Sequence, residues 1–313
     1  MGDGVGARSG RLDDDMRLTK HHGLGNDFVV VLDPEASHPL DHDIARALCD
    51  RHTGVGADGV MRITPADPDT GGGSVGQGAA TPAPVRMELR NADGSVAEMS
   101  GNGIRCTAQA LVLGWPGIGG PSPQLPVDIP IETGAGLRTV TVHEQLDAVT
   151  HRVSVAMGPA RITDDAPEWT GGGVARALVV DTGNPHLVLD LSGTGPAAAA
   201  EVDLVALGES VNAKVAGGAN VHLLTVEAGP AGGHAIAIRT YERGVGLTRA
   251  CGTGACASAA AARAWGLVGD QVMVDMPGGR AEVVLAASDD ADVVLRGPAT
   301  FVATVELGAS PWR

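Results

Sequence analysis

Two stretches far apart in the chain carry the same unusual punctuation, and this internal repeat constrains the fold more than any other feature. RNADGSVAEMSGNGIRCTAQAL runs from Arg90, and RTYERGVGLTRACGTGACASAAA runs from Arg239. Aligning Ser100 with Cys251 also aligns Gly101 with Gly252, Asn102 with Thr253 and Gly103 with Gly254, and it places Asn91 and Glu242 nine residues upstream. A second echo pairs Gly25-Asn26 with Gly183-Asn184, each ahead of a hydrophobic strand. Spaced self-similarity implies a duplicated structural unit, so two homologous halves are expected to face each other. A length of 313 residues fits two domains at about 150 residues each.

Between the repeats run short β-branched or apolar segments punctuated by Gly, Asn and Asp. Strands are expected at 27–32, 59–63, 84–89, 137–142, 152–156, 177–181, 219–226, 234–240, 271–276, 281–285, 292–297 and 301–305. Helical patterns cover 42–50, the stretch after Gly101 up to Leu113, the alanine-rich 200–207, and 254–265. The expected class is therefore β-rich α/β with few helices. The acidic, glycine-containing start up to about Asp15 reads as a disordered tail, and the aperiodic Gly/Pro/Ala segment 65–84 as a mobile surface loop.

With 43% hydrophobic and 19% charged residues, the chain can bury a substantial core. A net charge of −15 without any Lys/Arg block argues against a nucleic-acid surface, which needs clustered cations. No run of 18 apolar residues and no signal-like start is present, so no membrane association is expected and the cytoplasm is the default location. Position 6 is Gly, which breaks the myristoylation pattern. Four cysteines are too few for a disulfide scaffold, and no His/Cys/carboxylate cluster has zinc spacing, so no metal is expected.

A hydroxyl or thiol residue, then Gly-Asn/Thr-Gly, then a small-residue helix describes a helix start with exposed backbone N–H groups. Such a start attracts a carboxylate or phosphate oxygen without a cationic side chain. One Gly-x-Gly turn before a helix is commonly only a cap; two aligned copies can grip one anion from both sides. Ser100 and Cys251 would then flank the carbon next to a bound carboxylate. One would take its proton while the other delivers a proton to the opposite face, with the helix termini stabilising the developing charge. No other electron sink is visible, so no cofactor is expected. Cys251 is the reactive-thiol candidate, because the helix dipole would favour its thiolate. Cys106 and Cys256, within the helices, and Cys49 read as core residues. His52 and His222 read as structural, while His186, following Asn184-Pro185, is evenly balanced between structure and chemistry.

The blocks HGLGNDFVVV from His22, RHTGVGADGV from Arg51, RNADGSVAEMSGNGIRC from Arg90, DTGNPHLV from Asp181, GANVHLL from Gly218 and YERGVGLTRACGTGACA from Tyr241 resemble diaminopimelate epimerases. The resemblance spans about Lys20 to Thr300, in order. It implies two pseudo-symmetric α/β (α+β) domains, each a β-barrel-like sheet wrapped around a central helix, with the site in the cleft between them. The halves would be 16–150, completed by a C-terminal strand at 297–307, and 151–296. It further implies cofactor-free interconversion of LL- and meso-diaminopimelate, an amino dicarboxylate, in lysine and peptidoglycan precursor synthesis, and a homodimer is the common assembly for such enzymes.

Residue by residue, the resemblance makes Asn26, Asn91, Asn184 and Asn220 substrate contacts. Glu242 and Arg243 become the pair that meets the substrate's ammonium and distal carboxylate. Gly101-Asn102 and Gly252-Thr253 become backbone cradles, His186 and Glu242 supports around the reacting groups, and Cys251 one acid/base. At the other acid/base position, where the family has cysteine, this chain has Ser100. A hydroxyl is a far weaker acid than a thiol. Gly59 and Leu247 stand where many members carry glutamine and an acidic residue. Two other readings stay open: a one-base isomerase or racemase of the same fold acting on another small carboxylate, and a non-catalytic binding protein for an amino dicarboxylate.

Overall fold

The structure is a computed structural model and describes residues 18–66, 82–115, 124–194, 199–228, 234–288 and 290–307. The expected tail and most of the expected 65–84 loop lie outside these residues. Pro65 itself ends a strand, and the Ala66 N–H donates to Pro84 O at 3.2 Å.

Among the described residues, the strands are β1 (Leu18–Gly23), β2 (Asn26–Leu32), β3 (Gly59–Pro65), β4 (Val85–Asn91), β5 (Val96–Ala97), β6 (Val127–Thr133), β7 (Gly136–Gln145), β8 (Thr150–Ala156), β9 (Arg161–Asp165), β10 (Arg176–Asp181), β11 (Pro185–Asp190), β12 (Asn220–Ala228), β13 (His234–Glu242), β14 (Gly246–Thr248), β15 (Gln271–Met276), β16 (Gly279–Val284) and β17 (Val294–Val305). The helices are α1 (His42–Cys49), α2 (Gly101–Gly114), α3 (Leu204–Lys214) and α4 (Gly252–Ala264), with a short 3₁₀ turn at Pro167–Trp169.

The protein is a mixed α/β fold containing an eight-stranded barrel and further strands. The barrel closes through β1, β2, β3, β4, β6, β7, β8 and β17, which returns to β1. It surrounds α2, whose residues are buried from Gly101 to Val112. The other strands continue from β9 through β10, β11, β12, β13, β15 and β16 to the start of β17, and they pack around α4. The alanines of α4, buried from Ala255 to Ala262, let strands approach on every side, since a methyl group adds little girth. One strand therefore serves both sheets: β17 pairs with β16 at its start, with β8 along its first half and with β1 at its end.

Three expectations need correction. The segments 292–297 and 301–305 form one strand, because Gly297 and Pro298 pair with Val153 and Arg152 without a break. The helix expected at 200–207 runs from Leu204 to Lys214, where the Asp203 carboxylate caps the Ala206 N–H at 3.0 Å and Leu204, Gly208 and Val211 make one buried stripe. The expected strands omit β1, β6 and β9, as well as the two short strands β5 and β14. β1 carries Thr-Lys-His-His in place of an apolar run, β6 contains Pro130, and β9 is exposed at every position.

The barrel interior is partly polar. His21 is fully buried between Gln109 Oε1 at 2.9 Å and Thr19 Oγ1 at 2.9 Å, and burial lowers its pKa to about 4. His222 is held down to about 3 by burial, and His186 falls well below its usual value for the same reason. These rings stay neutral in the fold but take up protons once unfolded. Their contribution is intact above about pH 6.5 and is lost as pH falls from there toward 4 and below. Chemical denaturation at pH 7 and pH 5 is expected to show a stability loss of about 2 kcal/mol each for His21 and His222, less where the denatured chain retains structure. A flat profile over that range would contradict neutral burial.

Candidate active site

The two repeated turns meet. Ser100 caps α2 with φ −137° and ψ 123°, and Cys251 caps α4 with φ −122° and ψ 113°. The Gly103 N–H donates to Ser100 Oγ at 3.1 Å, and the Gly254 N–H to Cys251 Sγ at 3.4 Å. The helix starts touch through their first glycines. A Cβ added to Gly101 would stand 3.3 Å from Gly252 Cα, and one added to Gly252 would stand 3.1 Å from Gly101 Cα. Leu295 of β17 packs beneath both, within 3.1 Å and 2.9 Å of those added carbons, so any side chain here would push the helices apart. Two positive helix ends thus converge on one point.

The strands deliver the remaining groups in matching register. Asn26 opens β2, and two residues on Phe28 pairs in parallel with Gly59. Asn184 immediately precedes β11, and two residues on His186 pairs in parallel with Asn220. Asn91 pairs with Gly59 at the end of β4, and Glu242 closes β13 one position beyond the Val221–Tyr241 pair. The sequence echo is therefore a ladder echo.

Cys251 Sγ meets Thr253 Oγ1 at 3.5 Å, the Glu242 carboxylate lies near enough to act on the thiol, and burial raises the Glu242 pKa. Cys251 is 4% exposed. Burial and the neighbouring Glu242 charge push its thiol well up, against the lowering effects of Thr253 and the Gly254 N–H. Against the expectation of a thiolate favoured by the helix start, desolvation outweighs the stabilising Gly254 N–H. Behind the turn runs a histidine pair. His186 Nε2 meets Asn184 Oδ1 at 2.9 Å, His186 Nδ1 meets His222 Nε2 at 2.8 Å, and His222 Nδ1 meets Thr240 Oγ1 at 3.0 Å. With both rings neutral, one set of tautomers satisfies the chain: Thr240 donates to His222, His222 to His186, and His186 to Asn184. His222 lies against the turn itself, since a Cβ on Gly254 would fall 2.2 Å from its Cε1. Asn220 Oδ1 accepts from the Arg243 N–H at 2.9 Å, and the Arg243 guanidinium, on the exposed side, donates to Gly217 O.

On the other side, Asn102 Nδ2 donates to Asn26 Oδ1 at 3.1 Å and to Ala250 O at 3.0 Å, which ties the first turn to the residue before Cys251. Asn26 Nδ2 donates to Asp58 Oδ2 at 2.8 Å, and Arg51 binds both Asp27 and Asp58 at 2.7 Å. Although burial pushes the Asp27 carboxyl upward, hydrogen bonds from Arg51 and Lys20 outweigh it and hold the pKa at about 2. Asn91, opposite Gly59 at the end of β4, donates to Ser95 Oγ at 3.0 Å. Cys106 and Cys256 are fully buried and, like Cys49, pushed up to about 12 by burial, as suits core residues. His52 is exposed, at the surface. Asp58, Arg51, Arg105 and His222 were not singled out as site residues by sequence. The block from Arg51 to Val60 and the Gly-Ala-Asn-Val-His block contained three of them, but only strand pairing brings them to the turns.

The sequence profile of the diaminopimelate epimerase family matches residues 18–163 and 178–302. The chain belongs to the diaminopimelate epimerase family. Its members are isomerases of lysine biosynthesis. The chain is 37% identical over 301 residues to the diaminopimelate epimerase of Mycobacterium ulcerans, covering 95% of this chain and 99% of that protein. It is 39% identical over 303 residues to that of Mycobacterium tuberculosis, with the same coverage of 95% and 99%. The fold is also that of a hydroxyproline epimerase from Agrobacterium vitis with bound trans-4-hydroxy-L-proline, at a TM-score of 0.65, 18% identity and coverage of 94% and 93%. A predicted epimerase from Pseudomonas aeruginosa superimposes with a TM-score of 0.66 at 18% identity, covering 95% of this chain and 100% of that one. Among the described residues, no helix is long and apolar enough to cross a membrane, and no group of three or more His, Cys, Asp or Glu residues could hold a metal ion.

Proposed function

We propose that the protein exchanges the α-proton of 2,6-diaminopimelate between two faces, with Cys251 as the efficient acid/base and Ser100 as its altered counterpart. In this reading, the two pseudo-symmetric halves expected at 16–150 with 297–307 and at 151–296 have the site between them, the first half extending through β8 to Ala156 and taking β17 as its closing strand. The observation that carries it is the meeting of two helix starts capped, in matching conformation, by Ser100 and Cys251. The first N–H groups of α2 and α4, at Gly101-Asn102 and Gly252-Thr253, receive the reacting carboxylate and stabilise the charge that builds on it. Glu242 accepts the Cys251 proton, and the resulting thiolate takes the α-proton from its face. His186, fixed between Asn184 and His222, supports that side of the site. Asn26, Asn91, Asn184 and Asn220 orient the substrate. Arg243 swings from Gly217 to the distal carboxylate, which its planar fork suits, while Glu242 also meets an ammonium group.

Return of a proton from Ser100 must leave an alkoxide, which is unfavourable, so one face exchanges fast and full inversion is slow. Deuterium incorporation into each stereoisomer tests this. The expected result is rapid wash-in on the Cys251 face with slow interconversion. Fast symmetric turnover that is lost only on replacing Cys106 would remove Ser100 from its role. The serine also gives weight to a second reading, a one-base isomerase acting on another small carboxylate. Activity toward monocarboxylate amino acids exceeding that toward diaminopimelate would favour it, since Arg243 would then have no distal partner.

A further inference from the structure

Arg105, one turn into α2, is 0% exposed. Its Nη1 donates to Gly101 O at 3.0 Å and its Nη2 to Asn102 Oδ1 at 2.7 Å, while the buried Nε has no hydrogen-bond partner. Two glycines on neighbouring strands make room for the guanidinium. A Cβ on Gly23 would stand 3.2 Å from Nη2, and one on Gly297 would stand 3.3 Å from Cζ. Among the described residues, no carboxylate pairs with it, and the ionisable groups beside it are the thiols of Cys106 and Cys256. Burial lowers its pKa only to about 10, so it is a cation at neutral pH. A buried charge without a counter-ion is costly unless something supplies the opposite sign. Here the charge sits directly behind the point where two positive helix ends meet.

We propose that Arg105 is an electrostatic positioning residue whose counter-ion is the carboxylate of the bound ligand. It strengthens the cradle formed by the α2 and α4 termini, and it fixes the Asn102 amide that reaches Ala250 across the site. The inference rests on the proposed α-proton chemistry for the identity of the ligand, but the charge relationship is measurable without turnover. Anion affinity should follow the charge at position 105. Catalysis should follow it more steeply, because negative charge on the carboxylate grows toward the transition state.

The probe is malonate, with malonamide as a neutral isostere, and the readout is the ligand-induced shift in melting temperature. Wild type and Arg105→Lys should be stabilised by malonate, whereas Arg105→Gln, which keeps hydrogen-bonding capacity without charge, should bind it at least about tenfold more weakly. Malonamide should not distinguish the variants. In deuterium exchange with diaminopimelate, Arg105→Gln should lose more in kcat than it gains in KM, with partial rescue in Arg105→Lys. If Arg105→Gln does not fold, Asn102→Asp supplies an internal counter-ion at the same hydrogen bond and should weaken malonate by a similar factor. Malonate affinity within twofold of wild type in a folded Gln or Asn102→Asp variant, a Lys variant as weak as Gln, or no malonate effect on wild type would overturn the proposal. Arg105-dependent malonate binding in a wild-type protein that exchanges no diaminopimelate proton would leave it standing and reject the reaction instead.

Discussion

Replacing Cys251 with alanine is expected to lower α-proton exchange by about 10²–10⁴-fold, the range over which a positioned acid/base contributes. In the proposed reaction the sulfur at the mouth of α4 carries a proton to or from a ligand held by the Gly252-Thr253 N–H groups, and Glu242 beside it receives that proton. The structural cost should be small. Alanine removes one cap acceptor, the bond from the Gly254 N–H at 3.4 Å, worth about 1 kcal/mol. Exchange followed by NMR, with thermal denaturation as the control, separates the two effects. A folded variant retaining a tenth or more of wild-type exchange would show that another group does the chemistry.

Changing Ser100 to cysteine is expected to act in the opposite direction and to raise full interconversion of the stereoisomers by about 10²-fold or more. The hydroxyl occupies the position, relative to α2, that Cys251 Sγ occupies relative to α4, and each accepts a hydrogen bond from the glycine three residues on. What differs is acidity: a thiol near 8.5 can lose and regain a proton within a turnover, whereas a hydroxyl cannot. Ser100 is partly exposed, so the larger sulfur has room, and stability should change by less than about 1 kcal/mol. Rates of LL-to-meso conversion and of single-face deuterium exchange, measured on both proteins, give the check. Equal conversion rates would mean that the serine face does not limit the reaction.

How far the sequence reveals this arrangement depends on whether the signal is local. The two caps, their glycines and the duplicated strand starts are local patterns, and the structure places them as the repeat implied. Arg105 is legible as a residue in a helix, but the room for its guanidinium is made by Gly23 and Gly297, which lie far apart in the chain. The link from Asp58 through Asn26 to Asn102 joins three segments whose spacing carries no motif. The raised pKa of Cys251 is hidden from the sequence for a related reason. A helix terminus is visible in sequence, whereas the burial that overrides it belongs to the packed molecule. Likewise β9 and β1 show no apolar alternation, because ladder pairing and position in the sheet hold them rather than an amphipathic face.

The wall shared by the two sheets bears on how the protein is made. The strand that seals the barrel between β8 and β1 lies at the far end of the chain. On the ribosome, the segment through Ala156 must therefore wait as an unsealed trough while the rest is translated, on the order of ten seconds at cellular elongation rates. Throughout that interval two strand edges stand open to any neighbouring nascent chain. Truncation ahead of Val294 would consequently leave open the part of the protein that was synthesised first.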